Sequence, residues 1–218
     1  MVCEQTGFFY NIITFAGTRL KTEVISKIFI MKKALALICA FQLFFICLVA
    51  QNGNLPAVDK SPMDMSYYPA NYPVLKIQDK LTESLVARVI YSRPQKSGRS
   101  IFGGLVKNGE VWRLGANEAT EIEFFRSVHI GGKRIKAGRY TLYAIVNDNS
   151  WTIIVNKETD TWGSFKYDVK KDVVRTDVTL QKTDTPIENL AMAFEKTAIG
   201  CNLVMAWDNT KVALPITF

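Results

Sequence analysis

From Pro73 to Phe218 the chain is a succession of short apolar runs broken by Gly, Asn, Asp or Pro, and no stretch of ten residues there carries a helical stripe with its caps. Runs of that length bury an apolar face by pairing side by side, not by coiling. Strands are expected at Val74 to Gln78, Leu85 to Tyr91, Glu121 to Phe125, Ser127 to Ile130, Arg139 to Val146, Trp151 to Asn156, Val173 to Gln181, Ile187 to Glu195, Cys201 to Trp207 and Val212 to Phe218. Tyr140, Leu142, Ala144 and Val146 share one parity, as the buried side of a strand requires. Gly131-Gly132, Asn147-Asp148-Asn149 and Asp208-Asn209 supply the positive-φ residues of tight turns. A set of short strands like this covers its faces by stacking two sheets or closing into a barrel. The expected fold is therefore all-β, a single antiparallel β-sandwich over 73–218, with a jelly-roll or partly closed barrel as variants. A short helical turn is expected near Tyr167 to Asp172, and no internal repeat is visible.

The first seventy residues have a different character. Met31 opens MKKALALICAFQLFFICLVAQ, in which Lys32 and Lys33 precede an apolar run from Ala34 to Ala50 broken only by Gln42. This is the layout of a signal peptide cut after Ala50; a retained membrane anchor over 34–50 is the other outcome, at the short end of what spans a bilayer. Phe45 and Ile46 before Cys47 do not suit a lipoprotein signal. Residues 1–30 then read as an upstream extension ahead of a start at Met31. Residues 51–72, rich in Pro, Asn, Ser and Asp, read as a linker or an extended arm laid on the domain.

Processing there changes the chemistry that remains. The net charge of +7 falls when the first fifty residues go, leaving 22 basic against 18 acidic side chains dispersed along the chain. That is no footprint for nucleic acid. The densest basic group, Arg126, Lys133, Arg134, Lys136 and Arg139, surrounds an expected hairpin and reads as its solvated tip, the other reading being attraction to anionic envelope lipids or polysaccharide. Of four cysteines, Cys3, Cys39 and Cys47 lie before the cut and Cys201 stands alone in a strand-like run, so no intrachain disulfide is expected and Cys201 reads as a small core residue.

Five segments carry a resemblance: YSRPQKSGRSIFGGLV, GEVWRLGANEAT, IGGKRIKAGRYTLYAI, WTIIVNKETDTWG and LVMAWDNTKVALPI. Together, across Ser61 to Phe218, they resemble domain of unknown function family 2911, a family of secreted bacterial β proteins. The resemblance implies export and a β fold. It implies no reaction, and no catalytic residue carries over. Lys107 and Asn108 stand where the family's more usual LVPxG has its proline, which bears on the stiffness of that loop.

Site candidates therefore come from chemistry. Arg93, Arg99, Arg113, Asn117 and Glu118 fall in one non-repetitive segment, and Arg93 precedes Pro94 at an expected strand end. Leu114-Gly115-Ala116 is read as a turn that folds Arg113 back onto Glu118, since a guanidinium fork and a carboxylate make the most directional ion pair in proteins. The cluster either binds an anionic or hydroxyl-rich ligand or clips a long loop to the sandwich. Trp151 and Trp207 stand in strand-like runs and read as core. Trp112 and Trp162 stand beside polar turn residues, and each either anchors its loop by burial or stacks on a ligand.

Most familiar active centres are excluded by inventory. His129, the single histidine, lies in an expected alternating strand beside a hairpin, where a Ser-His-Asp triad would have it only by chance, and one His with Cys201 cannot supply a typical zinc site. Asp148 and Asp160 lie in no ordered calcium loop, and Gly103-Gly104 leads into no phosphate-binding helix. No cofactor and no metal are expected. The expected partner is a small ligand, a glycan or an envelope protein, and the expected function is non-catalytic binding or scaffolding in the cell envelope. The alternative is a hydrolase of polysaccharide or another envelope polymer using a carboxylate pair that includes Glu118.

Overall fold

The computed structural model describes residues 31–38 and 55–218. The chain divides into two units, Met1–Ala57 and Val58–Phe218. In the first, residues 31–38 are helical and exposed, and among the described residues no helix is long and apolar enough to cross a membrane. The expectations for 1–30, and for the remainder of the 31–50 segment, lie outside the described residues.

The second unit is two antiparallel sheets. Strands β1 (Met63–Tyr68), β2 (Ala87–Ser92), β4 (Glu121–Phe124), β7 (Gly138–Val146), β8 (Ser150–Asn156) and β9 (Asp172–Thr179) follow one another across the larger sheet, and β3 (Val111–Trp112) pairs with the far half of β7. The smaller sheet runs β10 (Gln181–Thr197), β11 (Gly200–Thr217), β5 (Val128–Ile130), β6 (Lys133–Ile135). Neither sheet closes into a barrel, so the sandwich expectation holds. The chain passes from one sheet to the other at Leu180, whose N–H donates to the Asn149 carbonyl at 3.0 Å. A 3₁₀ turn at Val169–Lys171 occupies the place where a helical turn is expected, capped by the Asp168 carboxylate accepting from the Lys170 N–H.

Alternation builds the core. Leu142, Ala144 and Val146 of β7, Trp151, Ile153 and Val155 of β8, and Met192, Leu203, Met205, Trp207 and Leu214 of the facing sheet are all buried in one cluster. Burying such side chains yields about 1.5–3 kcal/mol each before ordering costs. Four aromatic rings close one part of it. Trp112 stacks on Trp207 at 6.0 Å and 19°, Trp151 meets Trp112 edge-on at 5.7 Å, and Phe102 abuts all three.

Three expectations are corrected. Residues 74–78 form no strand. Instead Tyr72–Ile77 is a short helix, α1, with Asn71 left-handed at its N-cap and Pro73 in its first turn, where a missing N–H costs nothing. The arm expected over 51–72 contains β1, a full edge strand in register with β2 from Met63↔Ser92 to Tyr68↔Ala87. Asp208-Asn209 is no hairpin turn. Asp208 takes φ 52 inside a single long strand, and the β10–β11 register shifts around its pairing with Ile187 and resumes at Thr210. The extra residues of that irregularity lie in β10, which runs from Lys182 to Ile187 while β11 runs only from Thr210 to Asp208.

Cys201 is buried at the start of β11, and burial pushes its thiol up to about 12. The native protein is therefore expected to leave Cys201 unmodified by maleimide at about pH 8, where an ordinary thiol is partly thiolate. Peptide mapping checks this, with modification appearing on addition of denaturant.

Candidate functional site

The structure disperses the candidate cluster. Arg93 is a clip: its Nε donates to the Leu190 carbonyl at 3.1 Å, its Nη1 meets Asp64 Oδ2 at 3.0 Å, and its own N–H donates to the Pro62 carbonyl. It thus ties β1, β2 and the opposite sheet together. Arg99 folds onto its own loop, donating to the carbonyls of Lys96 and Gln95. Trp112 is 8% exposed, with Nε1 donating to the Gly115 carbonyl at 3.2 Å. It is a core residue, so of its two expected roles it takes loop anchoring and not ligand stacking; β3 alternation sends it inward, to the Trp207 ring.

Arg113 and Glu118 form no ion pair. Leu114 takes φ 56 and Asn117 φ 58, and these two left-handed residues bend the segment so that the Thr120 N–H reaches the Arg113 carbonyl at 3.1 Å. Thr120 Oγ1 also donates to the Leu114 carbonyl at 2.7 Å. The Arg113 guanidinium is half-buried, its Nε has no acceptor among the described residues, and burial alone lowers its pKa.

Asn117, Glu118 and Trp162 are brought together. The loop between β8 and β9 docks against the 113–120 turn through the Gly163 N–H to the Asn117 carbonyl at 2.9 Å and the Ala119 N–H to the Thr161 carbonyl at 3.0 Å, which places Glu118 and Trp162 in an isolated bridge. The Asn117 amide donates to Asp59 Oδ2 at 3.0 Å. Ser164 Oγ donates to the Val111 carbonyl at 2.9 Å, and Tyr143 and Thr161 share a hydroxyl contact at 3.1 Å. Tyr167 packs edge-on against Tyr143 at 5.1 Å, so the loop covers the outer face of β7 and β8 with Ala119 and Ile154 beneath it. The Tyr167 hydroxyl, donating to Asp172 at 2.6 Å, is pushed up to about 12 by burial and that bond. On top, Trp162 is 62% and Phe165 83% exposed. Gly163 between them takes φ 66, a left-handed conformation that favours glycine. Phe165 was not singled out in the sequence; its place three residues after Trp162 in KETDTWGSFKYD was the available signal.

Residues 73–216 match the family described as "Protein of unknown function (DUF2911)". The chain belongs to that family. No curated protein and no solved structure matches it.

A second feature of this DUF2911 domain lies on the outer face of the larger sheet. Arg88, Glu123 and Arg139 stand in register across β2, β4 and β7. Arg88 bonds Glu123 at 2.5 Å, and Arg139 meets Glu121 at 3.5 Å and also pairs with Asp160. Arg139, read from sequence as part of a solvated basic tip, is thus neutralised, and Asp160 is spoken for. Arg88, Ile90, Glu121, Glu123 and Arg139 line a cleft of about 60 Å³, well below the size of an organic ligand site. Among the described residues no group of three or more His, Cys, Asp or Glu gathers to hold a metal.

These geometries separate the arginines experimentally. Arg93→Ala is expected to cost about 1–3 kcal/mol by stranding a part-buried carbonyl and Asp64, whereas Arg113→Met, which keeps the apolar stem, is expected to change stability by less than about 0.5 kcal/mol or to raise it slightly. A double-mutant cycle of Arg113→Met with Glu118→Gln should show coupling below about 0.3 kcal/mol in urea unfolding. Trp112→Ala is expected to cost about 3–5 kcal/mol in the same assay.

Proposed function

We propose that this protein is an exported, non-catalytic binding module that meets its partner through the paired loops at 113–120 and 157–171. One observation carries the reading: the Trp162 indole is held out in solvent by a loop whose backbone is bonded on both sides of it. Keeping a large ring in water forgoes the roughly 1.5–3 kcal/mol that burying a comparable apolar side chain yields. A rigid exposed ring returns that energy on binding with little ordering cost. The export half of the reading rests on the layout of residues 31–50.

The hydrolase alternative has less support. Glu118 is exposed and makes no hydrogen bond or ion pair among the described residues, so one free carboxylate is present. The acids around it are engaged: Asp59 accepts from Asn117 and the Ser61 N–H, and Asp160 from Arg139 and Thr159. An acid–base pair needs two carboxylates free to exchange protons and water.

The test is co-sedimentation of the purified full chain with cell-envelope material containing both sacculi and membrane. Wild type is expected to pellet, and Trp162→Ala to weaken retention at least about tenfold, equivalent to about 1.4 kcal/mol, while its melting temperature stays with the wild type. Full retention of Trp162→Ala would sink the reading. Release of soluble product from the same material, abolished by Glu118→Gln, would put the hydrolase in its place.

A further inference from the structure

Resting on that reading, we propose that the partner is an anionic phospholipid surface, entered by Trp162, Phe165 and Val169 and held at its headgroups by Lys157, Lys166 and Lys170. The apolar side chains come first in the argument. Val169 is 58% exposed, so three large apolar residues project into solvent within eight positions of one loop. Gly163, Ser164 and Tyr167 between them face the sheet or are fixed to it. An exposed Trp beside an exposed Phe on a fixed loop matches the interfacial zone of a bilayer, where an amphipathic ring gains from both sides.

The polar groups around these rings are already used. Thr161 is bonded to Tyr143, Ser164 to Val111, Asn117 to Asp59 and Thr159 to Asp160. A sugar stacked on Trp162 would therefore find Glu118 and unpaired lysines at its rim, whereas glycan sites surround their rings with amides and hydroxyls that both donate and accept. Phe165 offers no polar handle at all.

The charges point the same way. Of the acids in this loop, Glu158 pairs with Lys171, Asp160 with Arg139 and Asp172 with Arg175, while Asp168 caps the 3₁₀ turn. Lys157, Lys166 and Lys170 are exposed and form no ion pair among the described residues. Long ammonium side chains beside buried rings reach phosphate headgroups readily. Glu118 opposes such a surface, so its removal should tighten binding.

The tryptophan inventory gives a clean readout. Trp112, Trp151 and Trp207 are buried and no tryptophan precedes Trp112, so emission quenched by bromine on lipid tails reports Trp162 even if the 34–50 segment also meets the vesicle. With the full chain and brominated vesicles containing phosphatidylglycerol, wild-type emission is expected to be quenched and Trp162→Phe to lose the quenching. Lys166→Glu with Lys170→Glu should raise the lipid concentration for half-quenching at least about threefold, and added salt should do the same. Glu118→Gln should lower it. Absence of quenching, or equal quenching on vesicles of phosphatidylcholine alone, overturns the lipid assignment. Trp162-dependent pelleting with lipid-free sacculi, or a dimer dissolved by Trp162→Ala, would also overturn it while leaving the binding reading intact. Loss of all Trp162-dependent retention on envelope material removes both.

Discussion

The stack of Trp112 on Trp207 is the contact from which the exposed loop surface at Trp162 hangs. It joins the two sheets, because Trp112 belongs to a strand of the larger and Trp207 to a strand of the smaller. It also anchors a loop. The chain from Ser92 to Val111 contains no strand of its own, yet Phe102 inserts beside the stack and Ile101, Val106 and Leu114 are buried with it. With Trp112 fixed, Leu114 and Asn117 complete a turn whose carbonyls and N–H groups are held, and that turn in turn presents the Asn117 carbonyl to Gly163. The exposed ring at 162 is thus positioned by a buried one at 112.

A long loop on a sheet needs such an arrangement because its backbone groups have no ladder to satisfy them. Arg93 supplies part of the answer with a guanidinium on the Leu190 carbonyl, Arg99 with two bonds to its own loop, and Trp112 Nε1 with the Gly115 carbonyl. The sequence allows clipping and binding for the same arginines, and the fold uses two of them as clips. The clipping falls to Arg93, Arg99 and Trp112. The open surface falls to Glu118, Trp162 and Phe165.

The strand pattern was legible because burial on one side imposes a period of two, and most expected strands lie within a residue or two of the real ones. What was not legible depended on partners distant in sequence. Asp208-Asn209 has turn chemistry, and only the continued pairing of Thr210 and Lys211 with β10 keeps it inside a strand. Met63 to Tyr68 looks like linker because an edge strand needs a neighbour on one side alone. Tyr72 to Ile77 buries no residue, so its helix leaves no apolar period to read. Tyr143 and Ile154 break alternation because a loop from elsewhere covers them. The expected Arg113–Glu118 pair failed on a backbone fact that side-chain chemistry does not announce: a leucine at φ 56.

Trp112 and Trp162 show how much of a site rests on such facts. Each stands in a turn-rich, polar stretch next to glycine or acid, and residue type and neighbours alone assign them the same role. β3 is two residues long, yet that is enough to set parity, and parity points Trp112 at the core. Trp162 pairs with Glu118 in an isolated bridge over a face that Tyr167 has already covered, so no apolar layer remains above it. The difference between a core anchor and an exposed contact residue is the number of layers beneath the ring. A chain that fills the second layer with Tyr167, reserves Gly163 for the bend and still leaves Trp162, Phe165 and Val169 outside has built an apolar surface that its own fold does not cover. A loop whose backbone is already bonded loses little freedom on meeting an apolar partner, and that is the physical ground for proposing the surface as a binding one.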